Sequence, residues 1–214
     1  MILNSFKIAF SALSFIGFFA SPIQAASAED MHNIEVGTNS FRVPLVPIPA
    51  AKIKIAYLNL KDNNELIEAL ATEIATYINA NKAKIDIIIT PEANTIALAY
   101  AVSKITGIPY IVLTKKQRPD MGPEAISIPV KSITTAGNQT LWISESNIQK
   151  IKGKKILILD DVVSTGGTIN AAKALVEKAG GVLALNPLVC FYEGNKRDDV
   201  TAVSQTVLPV IPLS

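Results

Sequence analysis

The segment Ile156–Thr168 constrains the fold more than any other part of the chain. Its aliphatic residues run directly into the adjacent carboxylates of Asp160 and Asp161, and a turn of Ser, Thr and Gly then opens an Ala-rich pattern with helical spacing. This order predicts a buried strand, an acidic pair at its carboxyl end and a turn whose amides can bind phosphate. Because ligands of open α/β sheets bind beyond the carboxyl ends of the strands, the segment indicates a sugar-phosphate or nucleotide site.

The rest of the chain alternates short apolar runs with helical patterns, which predicts an α/β fold with a mostly parallel twisted sheet flanked by helices. Strands are predicted at 52–58, 85–90, 110–114, 155–159 and 182–192, and helices at 65–79, 92–104 and 167–179. Residues 115–140 break this rhythm with prolines, glycines and two weak β patterns, as expected of a functional loop. The Pro-rich residues 29–50 lack clear periodicity and are interpreted as an arm over a core of about 52–192.

Length, charge and rare residues limit the function classes. The 214 residues, 49% of them hydrophobic, suffice for one ordinary domain. A net charge of +2, without a basic stripe interleaved with aromatic residues, argues against nucleic-acid binding. Cys190 lies in an apolar run and is expected to be a buried, inert thiol. His32 is the single histidine and is expected at a disordered N-terminal position, which argues against a Ser-His-Asp triad.

The N-terminal residues have the order of a secretory signal. Residues 1–28 contain one lysine and no acid, an apolar run over 8–20, and small residues before a cleavage point after Ala28. The apolar run is too short for a comfortable transmembrane helix, which needs about 20 apolar residues. We therefore expect a signal peptide over 1–28, an exported chain of 29–214 and no stable membrane insertion after cleavage. The alternative is an uncleaved chain that is cytoplasmic or membrane-anchored.

The chemistry of the acidic pair and of the turn after it suits a phosphorylated sugar. Ionised carboxylates accept hydrogen bonds only, so Asp160 and Asp161 fit sugar hydroxyls or a hydrated cation. The glycines in Ser164–Thr168 permit close backbone approach, and successive N–H groups at a helix start form an anion site. The plainer interpretations are an acidic cap on the following helix and an ordinary Gly-containing turn.

Together these residues resemble the phosphoribosyl-pyrophosphate-binding signature of the type I phosphoribosyltransferases. Thr90–Ala93, followed by a helix, is similar to the pyrophosphate loop of the purine enzymes, and Thr114-Lys115 falls where they commonly carry an Arg-Lys pair. Residues 121–141 are similar to the flexible loop of an adenine- and xanthine-phosphoribosyltransferase-like subgroup, and Arg197–Asp199 also fits that subgroup. The resemblance extends over most of the chain after the signal.

The resemblance implies a glycosyltransferase of the pentosyltransferase class. Such an enzyme transfers the 5-phosphoribosyl group of phosphoribosyl pyrophosphate to a purine base and yields a nucleoside monophosphate and pyrophosphate, with Mg²⁺ as cofactor. The resemblance also implies a homodimer, a flexible β-loop over 115–140, and a small hood built from 29–50 and 194–214.

The resemblance also implies roles for individual residues. Catalytic roles fall to Asp160, Asp161 and Lys115: the aspartates bind the ribose hydroxyls or hold the metal through its water, and the lysine neutralises pyrophosphate. The implied substrate-binding residues are Val162, Val163, Ser164, Thr165, Gly166, Gly167, Thr168, Glu92, Ala93, Asn94, Ser132 and Thr134.

The chain departs from the family pattern in three places. Asn94-Thr95 stands where Lys or Arg followed by Gly is usual, Thr114 stands where Arg is usual, and the Glu-Tyr-Gly element of ordinary adenine enzymes is absent. The base is therefore left open, and a non-catalytic nucleotide- or phosphoribosyl-pyrophosphate-binding or regulatory module is the alternative function. A receiver-like phosphorylation domain is disfavoured, because its acidic pair would end an early strand.

Overall fold

The computed structural model describes residues 30–130 and 139–213. The expected signal peptide over 1–28 and two of the predicted substrate-binding residues, Ser132 and Thr134, lie outside the described residues. Among the helices that are described, none combines the length and apolarity needed to cross a membrane.

The described ranges contain four α-helices and thirteen strands. The helices are α1 (Asn64–Asn81), α2 (Ile96–Thr106), α3 (Glu145–Ile151) and α4 (Gly167–Lys178). The strands are β1 (Met31–Val36), β2 (Asn39–Ile48), β3 (Ile53–Ala56), β4 (Ile87–Pro91), β5 (Tyr110–Leu113), β6 (Ile126–Val130), β7 (Gln139–Ile143), β8 (Lys155–Val163), β9 (Val182–Leu183), β10 (Leu188–Glu193), β11 (Thr201–Ala202), β12 (Val207–Leu208) and β13 (Val210–Pro212).

The central sheet has the strand order β11-β10-β8-β4-β5, and every pairing in it is parallel. Two short strands extend it, β9 beside the start of β8 and β12 beside the end of β10. The predicted α/β fold with a parallel sheet flanked by helices is therefore confirmed.

Strand β8 explains why the sequence contains an unbroken aliphatic run. Ile156 and Ile158 pack into a cluster with α4 on one face, while Leu157 and Leu159 pack with α1 and α2 on the other. Because side chains alternate along a strand, only a strand covered on both faces requires apolar residues at every position. The strand runs on to Val163, four residues beyond its predicted end, since its pairing with β10 continues past the acidic pair.

A second sheet, the hood sheet, is antiparallel with the order β1-β2-β3-β13. The lack of regular structure expected over 29–50 is wrong for most of that range, because residues 31–48 form a hairpin that turns at Gly37, whose φ is +57°. Prolines in β2 obscure its alternation, although the carbonyl of Pro44 still accepts from the Tyr57 amide at 2.8 Å. The predicted core strand at 52–58 shortens to β3, which pairs with β2 because a tight turn before it reverses the chain.

Two further expectations concern single residues. Cys190 is fully buried, as predicted. The disordered position expected for His32 is wrong, since His32 lies in β1 opposite Val43.

The single strand predicted at 182–192 is divided into β9 and β10, so its predicted continuity is wrong. Pro187, which has no N–H to donate, directly precedes β10.

The described part of residues 115–140 contains more regular secondary structure than its sequence indicates. Strands β6 and β7 form an antiparallel ribbon, and Val130, Leu141 and Ile143 are buried in the same cluster as α4. Helix α3, which was not predicted, follows the ribbon and begins at Glu145, directly after Ser144, whose side chain caps it by accepting from the Asn147 amide.

Candidate active site at the carboxyl ends of the parallel strands

The predicted acidic pair lies where the carboxyl ends of β4, β8 and β10 meet. Two clefts open there, one of about 170 Å³ beside the residues that follow β4 and one of about 320 Å³ beneath β3. Asn94, Asp161 and Val162 line both clefts, so the two clefts meet at these residues. This is the arrangement expected for a ligand with two chemically different ends joined at a central group.

Asp160 forms part of the floor of the smaller cleft. It is 6% exposed, and its Oδ1 accepts from the Thr95 hydroxyl at 3.1 Å and from the Asp161 amide at 3.0 Å. Burial, and then the neighbouring Asp161 carboxylate, raises the pKa of Asp160 well above its usual range. The site therefore holds a carboxyl group whose ionised form is destabilised by its surroundings.

Asp161 is more accessible than Asp160 and is held by two donors. Its Oδ1 accepts from the Val162 amide at 2.8 Å, and its Oδ2 accepts from the side-chain amide of Asn94. The same Asn94 side chain donates to the Leu58 carbonyl and accepts from the Leu60 amide, both at 2.9 Å. Asn94 therefore ties the segment after β3 to the acidic pair, a role that the sequence did not reveal.

The predicted pyrophosphate loop, Thr90–Ala93, begins within β4 and has no helix immediately after it. Helix α2 begins at Ile96, four residues later than expected, because the Glu92 amide still bonds across to the Leu113 carbonyl at 2.9 Å. Ala93 is exposed, and the peptide bond that precedes it is cis. Glu92, Ala93 and Asn94 all line the smaller cleft, as expected of residues that would contact one ligand group.

Lys115 also lines the smaller cleft and is exposed. Its amide donates to Glu92 Oε1 at 2.5 Å, which joins the segments after β5 and β4. Thr114, by contrast, is 3% exposed, and its hydroxyl donates to the Lys116 carbonyl at 2.9 Å. The position at which the family resemblance implies an arginine is therefore occupied here by a buried residue of the framework, whereas the cationic Lys115 lines the smaller cleft.

The turn after β8 leads directly into α4. Gly166 has a φ of +81° and caps the helix, and Thr168 in the first turn lines the smaller cleft. Ser164 and Val162 line the larger cleft, whereas the Val163 side chain is 1% exposed in the core, so that only its backbone can meet a ligand. Thr165 is exposed and Gly167 is half-buried. Free backbone amides at a helix start are suited to an anion, and the phosphate site expected at 164–168 stays a prediction.

Three polar or aromatic residues of the larger cleft were not identified from the sequence: Tyr57, Lys61 and Glu193. Tyr57 is 44% exposed, so its ring is accessible within this cleft. Burial, together with the nearby Asp161 charge, raises the pKa of Glu193, and a hydrogen bond from Ser164 opposes this shift. Glu193 ends β10, so the rule that strand carboxyl ends converge could have found it had the strand been extended by one residue.

The oxygen donors at the site belong to few residues. Among the described residues, no group of three or more His, Cys, Asp or Glu side chains is arranged to hold a metal ion. Two adjacent carboxylates are too few for an all-protein cage, but they match the way in which Mg²⁺ is held by one or two carboxylates, water and substrate phosphates.

Comparison with known proteins agrees with this geometry. The model of the phosphoribosyl transferase domain family matches residues 57–202. A hypoxanthine/guanine phosphoribosyltransferase of Methanothermococcus okinawensis is 37% identical over 139 residues, which is 64% of this chain and 69% of the relative. The corresponding protein of Methanocella paludicola is 35% identical over 146 residues, or 68% and 72% of the two chains.

Solved structures show the same fold at lower identity. Adenine phosphoribosyltransferase from Saccharomyces cerevisiae superposes with a TM-score of 0.57 at 17% identity, covering 82% of this chain and 94% of that one. The enzyme from Thermoanaerobacter pseudethanolicus gives a TM-score of 0.54 at 20% identity, covering 82% and 95%. Since the family match covers more than half of the chain, including the smaller cleft, the acidic pair and the turn into α4, the chain belongs to the phosphoribosyl transferase domain family.

Proposed function

We propose that this protein is a purine phosphoribosyltransferase, which transfers the 5-phosphoribosyl group of phosphoribosyl pyrophosphate to a purine base. The observation that carries the proposal is the meeting of two clefts at Asp161, beside a helix-capping turn that suits phosphate. A phosphoribosyl group bound at this junction would have its leaving pyrophosphate in one cleft and the incoming base in the other.

The chemistry of each part of the site supports a location for each part of the substrates. The ribose hydroxyls would be bound by Asp160 and Asp161, and the 5′-phosphate by the amides and hydroxyls of 164–168. Pyrophosphate would occupy the smaller cleft with Lys115, and the base would lie in the larger cleft against Tyr57. Lys115 and Tyr57 suit these ligands, since a cation would face a polyanion and an aromatic ring would face a planar base.

The reaction needs no covalent nucleophile. The bond from C1 of the sugar to the pyrophosphate oxygen breaks with its electron pair leaving on pyrophosphate, while a ring nitrogen of the base bonds to C1 and loses its proton. Positive charge develops on the sugar ring as this bond breaks, so fixed carboxylates beside the ring would stabilise the transition state. The Lys115 ammonium would stabilise the departing anion in the same step.

Mg²⁺ fits the donors that the site presents. Asp160 and Asp161 would hold it through its water, and when bound it would neutralise charge on the phosphates. The raised pKa of Asp160 is consistent with this assignment, because a buried carboxylate with a like-charged neighbour gains stability from a nearby cation.

Among purine bases, we propose hypoxanthine and guanine. Relatives at 35–37% identity carry the name hypoxanthine/guanine phosphoribosyltransferase. In the larger cleft, Lys61 offers a donor and Glu193 an acceptor, which is the complement of the adjacent carbonyl and N–H of a 6-oxopurine.

The test is a screen of radiolabelled hypoxanthine, guanine, xanthine and adenine with phosphoribosyl pyrophosphate and Mg²⁺ on the purified chain. Nucleoside monophosphate should form with the first two bases and fall sharply in Asp161→Asn. Absence of product with every base at saturating substrate would refute the transferase. If calorimetry then showed that phosphoribosyl pyrophosphate binds without turnover, the non-catalytic binding module would be favoured. The uncharged Asn94 and Thr114, which stand where the family resemblance implies cations, also support that alternative.

The location and assembly of the protein are part of the proposal. We propose export after cleavage at Ala28, and the mass of the N-terminal peptide of the purified chain tests this. An N-terminal peptide that still begins at Met1 in a cytoplasmic fraction would contradict export. The homodimer implied by the family resemblance stays a prediction, which sedimentation equilibrium of the exported chain measures.

A further inference from the structure

Arg197 contacts the turn before α4 from a distant part of the chain. It lies in the segment after β10, and its Nη1 donates to the Thr165 carbonyl at 2.9 Å. Its guanidinium covers Gly166 so closely that a Cβ at that position would lie 2.7 Å from Arg197 Cζ. Arg197 does not line either of the two clefts, so it approaches the turn from outside them.

The guanidinium is held in place by Asp199. Arg197 donates through Nε to one oxygen of Asp199 at 3.0 Å and through Nη2 to the other at 3.1 Å. Lys173, on α4, also donates to Asp199, at 2.7 Å. The three charges therefore link the C-terminal segment to the helix that begins at the turn, and arginine suits this role because its planar fork can serve the carboxylate and the carbonyl together.

We infer that Arg197 is a positioning residue for the phosphate-binding turn, an inference that rests on the proposed function. In a trans peptide the C=O and N–H groups point in opposite directions. By holding the Thr165 carbonyl toward itself, Arg197 turns the Gly166 amide away from itself and fixes the orientation of that peptide. It thereby prevents a flip that would present a carbonyl oxygen to the phosphate.

The arrangement distinguishes positioning from simple attraction of the phosphate. A lysine at this position keeps the positive charge but cannot make the two bonds to Asp199 and the bond to the Thr165 carbonyl together. A positioning role therefore predicts that Arg197→Lys fails to restore binding. A role that depends on charge alone predicts that it succeeds.

The chain provides a matched control. Arg118 and Asp120 form the same Arg-X-Asp fork, with Nε and Nη2 distances of 3.1 and 3.2 Å, at an exposed surface. Arg118→Met removes a comparable ion pair without touching Thr165 or Gly166. Any effect of Arg197→Met that Arg118→Met does not share is therefore due to the contact with the turn.

The first measurement is calorimetric titration of the full chain with ribose 5-phosphate. Arg197→Met and Arg197→Lys should each weaken binding by about tenfold or more, and they should raise the KM for phosphoribosyl pyrophosphate more than they lower kcat. Arg118→Met should bind as the wild type does. Wild-type affinity in folded Arg197→Met, or full restoration in Arg197→Lys, would overturn the inference.

The second measurement needs no ligand. Hydrogen–deuterium exchange of the peptide over 164–169 should be faster in Arg197→Met and in Asp199→Ala than in the wild type and Arg118→Met. Unchanged exchange in both variants would overturn the inference even if the wild type bound ribose 5-phosphate. If the wild type bound no ribose 5-phosphate, the proposed function would fail at its sugar-phosphate site, and the exchange rates would still decide whether Arg197 fixes the turn.

Discussion

The side-chain amide of Asn94 donates to the carboxylate of Asp161, 67 positions further along the chain. The same side chain bonds to the backbone of Leu58 and of Leu60, both of which are buried. One neutral residue therefore joins the wall of the larger cleft to the acidic pair at the junction of both clefts. The family resemblance implies Lys or Arg at this position, and such a cation would instead be able to form an ion pair with pyrophosphate.

Replacing Asn94 with Ala is expected to cost stability. The Leu60 amide and the Leu58 carbonyl would lose their partner in a partly buried segment, and the loss should be about 1–3 kcal/mol. Urea denaturation measures it. Asn59→Ala is the control, because Asn59 makes its side-chain bonds to nearby Lys61 and Asp62 at the exposed surface. Equal losses in the two variants would contradict the bridging role of Asn94.

Replacing Asp160 with Asn should separate stability from activity. Burial and the Asp161 charge destabilise the ionised Asp160, so the neutral variant should melt at least about 2 °C higher near neutral pH. The initial rate of phosphoribosyl transfer should fall about tenfold or more, because a neutral amide binds ribose hydroxyls more weakly than a carboxylate does. Calorimetric melting and initial rates measure the two effects. The exposed Asp62→Asn serves as control, and a lower melting temperature for Asp160→Asn would count against this account.

Lys115 is expected to act on pyrophosphate. Lys115→Met should raise the KM for phosphoribosyl pyrophosphate and lower kcat/KM by roughly 10- to 100-fold, which corresponds to one charge-assisted contact of about 1.5–3 kcal/mol. Steady-state kinetics at several substrate concentrations measure both quantities. Lys116→Met removes a neighbouring exposed lysine that does not line the smaller cleft. The assignment would be wrong if both variants lost the same amount of activity.

The ion pairs of Asp199 should give stability a defined pH dependence. Arg197, and then Lys173, lowers the pKa of Asp199 to about 2. Since this folded-state pKa lies below the ordinary value of 3.8, the carboxylate stabilises the fold above about pH 4, and this stabilisation is lost as the pH falls toward 2. Asp199→Asn should therefore melt about 1–3 °C lower at pH 7, a modest effect for a partly exposed group.

The difference between Asp199→Asn and the wild type should shrink between pH 4 and pH 2. Melting curves across this range measure it, with the exposed neighbour Asp198→Asn as control. A difference that stayed constant down to pH 2 would show that the ionisation of Asp199 is not its source.

Cys190 should resist thiol reagents in the folded protein. Its side chain is fully buried, and burial raises the pKa of its thiol well above the ordinary value. Modification by a chromogenic disulfide should be negligible in buffer and complete in denaturant. Rapid labelling under native conditions would mean that β10 opens readily.

The family resemblance and the fold class were predictable because their signals are local. The aliphatic run before Asp160 fixes a strand buried on both faces, and the glycines after Ser164 mark a helix start. In an open parallel sheet these two features are enough to locate the ligand side, and the acidic pair and Lys115 lie there as expected. Element boundaries were less certain: the hairpin over 31–48 was missed because Pro44 and Pro47 interrupt its alternation.

By itself, the sequence determined that a parallel sheet is present and that an acidic pair lies near the carboxyl end of β8. Only the tertiary structure decided that Asn94 holds Asp161, that Glu193 joins the larger cleft, and that Arg197 fixes the Thr165 carbonyl. The physical reason is the range of the interactions. Periodicity records whether each residue faces the core or solvent within its own element, whereas these contacts depend on strand order, register and rotamers, which packing between distant segments sets.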